Sequence, residues 1–150
     1  MIHGLSKNAK IITVHAGTTA SASSTLDSAV IDRSGYESAM LFGSLGTTAS
    51  DNLMEMQCGT ASSTSGMGPI LNSAVNAAAS TSLLLDVVKL PVGKRYIMGK
   101  YVRASGGAAG KMVMVLYNGR RRPVDNATST QNYQFISNGT TGASTSTSST

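Results

Sequence analysis

Apolar and β-branched runs of five to nine residues, each closed by a cluster of Gly, Ser, Thr or Asn, recur along most of this chain. Runs that short suit strands better than helices, and a turn cluster after each one lets the chain reverse at every step. The runs lie at 10–16, 28–32, 37–44, 52–58, 83–89, 95–103 and 111–117. That many strands in roughly 110 residues imply an all-β, single-domain antiparallel β-sandwich of the jelly-roll type. About a quarter of the chain is Ser or Thr, residues that compete with helical hydrogen bonding.

The 150 residues suffice for one core, with 41% apolar residues but only 5% aromatic ones and no Trp. Val, Ile, Leu, Ala and the eight Met must therefore fill the interior. The domain is expected over 9–124, with an N-terminal arm at 1–8 and a Ser/Thr-rich C-terminal arm at 125–150. Within the second arm, Tyr133, Phe135 and Ile136 are too apolar for a solvated linker, and they read as an anchor that docks on the domain or on a neighbour.

The runs 94–103 and 111–118 flank Ala-Ser-Gly-Gly-Ala-Ala-Gly, which suits a hairpin and makes them expected antiparallel neighbours. On the second run Met112, Met114 and Leu116 alternate with Val113, Val115 and Tyr117, so the strand should be central or covered on both sides. The Ala-rich stretch 69–79 reads as a loop, with two helical turns as the alternative.

Catalytic chemistry finds little support. His3 and His15 have no acidic neighbour in sequence and read as exposed or hydrogen-bonded side chains. The seven carboxylates match no calcium or zinc spacing, and the glycine clusters lack the context of a phosphate cradle. Cys58, the single cysteine, reads as a buried thiol. No catalytic residue, cofactor or metal is expected, and the protein is read as a non-enzyme. Charges interrupt the N-terminal apolar residues, and no apolar run reaches the roughly 18 residues of a membrane span, so a cytoplasmic product is expected.

Charged residues make up only 13% of the chain, yet Lys89, Lys94, Arg95, Lys100, Arg103, Lys111 and Arg120–Arg122 follow one another with no acid between them. Such a band suits an acidic protein surface or a nucleic acid. Arg120, Arg121 and Arg122 are equally well read as a solvated strand exit that Pro123 ends. Tyr96, Tyr101 and Tyr117 could stack on bases, but tyrosines in a chain so poor in aromatics are better spent on the core.

Three segments carry a resemblance. Ile31-Asp32-Arg33-Ser34-Gly35-Tyr36-Glu37-Ser38, then Pro91-Val92-Gly93-Lys94-Arg95-Tyr96, then Tyr117-Asn118-Gly119-Arg120-Arg121-Arg122-Pro123-Val124, taken in that order, resemble a family of tailed-phage head decoration or cement proteins. The resemblance covers about residues 30–124, while the long Ser/Thr tail and the Ala-rich 72–80 segment depart from it. It implies a jelly roll, commonly a homotrimer, that sits on the major capsid protein at the virion surface and locks neighbouring subunits. Arg33, Lys94, Arg95, Arg120, Arg121 and Arg122 would then form the charged capsid contact, with Tyr133, Phe135 and Ile136 anchoring the arm. The rivals are a receptor- or glycan-binding sandwich of a fibre, which the lack of Trp disfavours, and a head–tail joining protein. A nucleic-acid module is disfavoured by the low charge outside the band.

Overall fold

In the computed structural model, which describes residues 4–120 and Asn126, nine strands form two antiparallel sheets packed face to face. The first sheet has the order β1 (Lys10–His15), β9 (Met112–Gly119), β4 (Tyr36–Ser44), β7 (Ser82–Val87). The second has β2 (Ser24–Asp27), β8 (Tyr96–Arg103), β5 (Asn52–Gly59), β6 (Gly68–Asn76), with the two-residue β3 (Ile31–Asp32) also paired to β8.

The pairs β1–β9, β2–β8, β4–β7 and β5–β6 are the rungs of one long ladder that runs out to β5 and returns from β6. Rolling that ladder drops alternate rungs into opposite sheets, which is the jelly-roll winding. The sandwich expected from the sequence is therefore what forms.

The winding also overturns the hairpin reading. Only the innermost pair, β5 and β6, can be sequential neighbours within one sheet; β8 and β9 are consecutive but lie in opposite sheets. The segment between them crosses the sandwich, and Ala109 on it bridges to Thr18 and Leu45. Strand β9 is central, as its alternation implied, but its partners are β1 and β4.

Stretch 69–79 is neither loop nor helix over most of its length: it supplies β6, the edge partner of β5. The helical spacing lost because Asn72 takes a positive φ of 61°, inserting a bulge, and the Ser73 hydroxyl then donates to the Met56 carbonyl at 2.8 Å. A side chain thus replaces a lost backbone rung. Likewise the strand expected at 28–32 is broken, because Ser28 Oγ accepts the Gly99 N–H at 2.8 Å and donates to Ala29 O. Residues 5–8, assigned to an arm, form one helical turn, Leu5–Asn8.

Between the sheets Leu41, Met54, Met56, Ile97, Tyr101, Met112, Met114 and Leu116 are essentially inaccessible. Methionine does the filling that scarce aromatics cannot. Tyr101 crosses the sandwich from β8: its hydroxyl accepts the Ser44 N–H on β4 at 2.9 Å and donates to Gly110 O at 3.3 Å. Gly43 makes room for that crossing, since a Cβ there would overlap the Tyr101 hydroxyl. Cys58 lies in the same core, and burial pushes its thiol pKa up.

The two ends of the sandwich differ. Residues 16–23, 45–51, 77–81 and 104–111 make one end almost wholly from small residues, with Asp51 and Lys111 as its exposed charges. The other end gathers residues 28–35, 60–67, 88–95 and the exit of β9.

Candidate functional site

The three sequence segments that carry the resemblance meet at this second end, and backbone hydrogen bonds tie them together. Asp32 Oδ1 accepts both the Ser34 N–H (2.9 Å) and hydroxyl (2.6 Å), which starts a tight turn that Gly35 completes at φ 88°. The turn aims Arg33 at the loop after β7. Its guanidinium donates to Lys94 O (2.6 Å), Pro91 O (2.6 Å) and Tyr36 O (3.1 Å), and its backbone N–H donates to Arg95 O. From the third segment, the Arg120 N–H donates to Gly35 O at 2.9 Å and Asn118 Nδ2 donates to the Ser38 hydroxyl at 2.7 Å. Ser38 in turn donates to Val88 O, and the Leu90 N–H donates to Glu37 O.

Arg33 is thus a clamp: each of its three guanidinium nitrogens donates to a carbonyl, which makes it a part of the fold more than a free contact. Arg95 is also engaged. It pairs with Asp32, Nη2 to Oδ2 at 2.6 Å, and its guanidinium lies 5.4 Å from the centre of the Tyr96 ring. The Arg95 hydrogen bonds, followed by those from Ser34, hold the Asp32 carboxyl far below its ordinary value of 3.8.

A carboxylate with a lowered folded-state pKa adds stability that is complete above the unfolded value and is lost as pH falls below it. Both partners are exposed, so solvent screens the pair and its contribution is small. Urea midpoints should therefore fall between about pH 4 and pH 2 more steeply in the wild type than in Asp32→Asn. Identical slopes would mean that the pair adds nothing.

Around the clamp lies an open cleft of about 330 Å³, bounded by residues 33–37, Gly93, Lys94, Arg95 and Arg120. A second hollow of about 360 Å³, which shares Arg33, Glu37, Gly93 and Arg120, adds Lys89, Leu90 and Val92. Lys89, Lys94 and Arg120 are exposed, and among the described residues none of them has an ion pair. Glu37 is the acid beside them. Three solvated cations on one rim, with a guanidinium framework behind, can hold carboxylates or another anionic surface.

Of the expected contact residues, the fold brings Arg33, Lys94, Arg95 and Arg120 together, while Arg121, Arg122, Tyr133, Phe135 and Ile136 lie outside the described residues. The basic band does not form one surface. Lys100 sits on the second sheet 3.6 Å from Asp27, Lys111 lies at the small-residue end, and Arg103 is buried there, donating to Ala20 O, Gly107 O and Ser24 Oγ. The band breaks because a strand carries successive charges to opposite ends and faces. Lys89 and Glu37 were not among the expected contact residues, although the jelly-roll winding itself places the loop after β7 beside the turn before β4.

Of the three tyrosines assigned to the core, Tyr101 alone is fully buried. Tyr117 donates to Asp86 on the outer face of the first sheet, and Tyr96 is half-buried under Arg95. His15 closes a local turn, its Nδ1 accepting the Gly17 N–H at 2.9 Å; His3 lies outside the described residues. Among the described residues no group of three or more His, Cys, Asp or Glu is placed to hold a metal, and no helix is long and apolar enough to cross a membrane.

No family model matches the chain, and no curated protein or solved structure matches it either.

Proposed function

We propose that this chain is a non-enzymatic phage structural protein that binds the outside of the capsid and joins neighbouring major capsid protein subunits, as a homotrimer. The observation that supports this reading best is the segregation of charge. A rigid sandwich has one end of small residues whose exposed charges are Asp51 and Lys111, of opposite sign, and an opposite end where Lys89, Lys94 and Arg120 project from loops stapled by Arg33. A cement protein needs such a sticky end on a stiff scaffold, and repetition over a shell turns modest contacts into stable capture. The ordered set of three motifs adds to the case, because the same segments build that end.

The test mixes the purified protein with undecorated heads from the same genome and follows co-sedimentation and the rupture temperature of the heads. Saturable binding that raises the rupture temperature is expected. Lys94→Glu with Arg120→Glu should weaken binding about tenfold or more without unfolding the domain, and added salt should mimic the loss. Absence of binding to heads would overturn the capsid reading; binding indifferent to the double variant would move the contact elsewhere.

A further inference from the structure

The outer faces of the two sheets are unlike. Across the second sheet, Asp27, Lys100 and Glu55 stand in one row of paired positions, as suits a solvated face. Across the first, Phe42 pairs with Val113 and Leu84, a row that presents apolar side chains outward, and in the next row Met40 pairs with Val115 on one side and Asp86 on the other. Phe42 is 41% exposed and Leu84 54%. A contiguous apolar patch on a sheet face marks a place where something packs.

The position of Asn126 indicates what. Its amide lies along the edge of β1 away from β9: Oδ1 accepts the Ile11 N–H at 2.6 Å and Nδ2 donates to Ala9 O at 2.9 Å. The chain after β9 therefore reaches the border of this same face, and 24 residues follow Asn126. Six of them, 127–132, can span roughly 20 Å when extended. The four-stranded sheet is only about 14 Å across from β1 to β7. Next come Tyr133 and Phe135, which an extended chain directs to one side.

We propose that residues 133–136 of the same molecule pack on the outer face of the β1–β9–β4–β7 sheet, with Tyr133 and Phe135 against Phe42, Val113 and Leu84. The proposal is independent of the capsid partner. Sheet area argues for the chain's own segment over a second copy. Four strands of six to nine residues offer a face of roughly 400–500 Å², whereas a stable interface between proteins takes about 800 Å² from each side.

Because the chain contains no Trp, Phe135→Trp in the full-length protein is a clean reporter. Its emission should lie to the blue of a solvated indole, be unchanged on dilution, and shift to the red when Phe42→Asp is added. Leu84→Asp, on the edge strand, is the second variant should Phe42→Asp not fold, with far-UV circular dichroism as the check. A solvated emission in the parent background would overturn the proposal, as would blue emission indifferent to the sheet variants. Blue emission that is lost on dilution would overturn it in favour of a second copy.

Discussion

Tyr101→Ala should lower the free energy of unfolding by about 4 kcal/mol, the cost of emptying a large aromatic site in a packed core. The side chain is fully buried and crosses from one sheet to the other, so its loss leaves a hole beside Met54 and Gly43 and no acceptor for the Ser44 N–H. Tyr101→Phe separates the two contributions. It keeps the ring and removes the hydroxyl, and about 1–2 kcal/mol should go with it. Domains of this size are stable by about 5–15 kcal/mol, so the alanine variant should unfold at a far lower urea concentration and the phenylalanine variant at a modestly lower one. Equal losses in the two would show that the hydrogen bond, and not the packing, holds the sheets together there.

Arg33→Ala should cost about 2–3 kcal/mol, because hydrogen bonds from a charged donor are stronger than neutral ones and the guanidinium satisfies carbonyls of Pro91, Lys94 and Tyr36 together. Arg33→Lys should rescue little of this, since one ammonium cannot reproduce a planar fork directed at three acceptors. Arg95→Ala, which removes an exposed, solvent-screened ion pair, should cost clearly less. If urea denaturation gave Arg33→Ala and Arg95→Ala the same loss, the clamp would be no stronger than a surface pair. The contrast also governs how binding data should be read. Arg33→Ala would disorganise the cleft and weaken head binding indirectly, whereas Lys94 and Arg120 can be reversed with the loops still stapled.

Much of the architecture was legible because strand patterning is local. The alternation in 111–117, the apolar runs at 37–44 and 52–58 and the turn clusters between them gave strands β9, β4 and β5 to within two residues at either end. Failures occurred where a side chain substitutes for the backbone. Ser28 and Ser73 complete ladder bonds that their neighbours cannot, so one expected strand is split and one expected loop is a strand. Nothing in a Ser-rich composition distinguishes those two hydroxyls from the many that face water.

The candidate site was half legible. Arg33, Lys94, Arg95 and Arg120 could be chosen from motifs, but whether each charge is free or spent could not. Arg33 and Arg103 look alike in a one-dimensional list of basic residues. One clamps a surface loop; the other is buried at the opposite end and held by carbonyls and a hydroxyl.

Local chemistry alone determines that this chain makes many short strands with a methionine-rich, aromatic-poor core, since residue periodicity and side-chain volume act over a few neighbouring positions. Which strands pair, and hence which charges share an end, was decided by the tertiary winding. Sending alternate rungs of the ladder to opposite sheets is the arrangement that buries an apolar face of every strand. That global condition parts β8 from β9, scatters the basic band, and brings residues some sixty and ninety positions apart onto a single cleft.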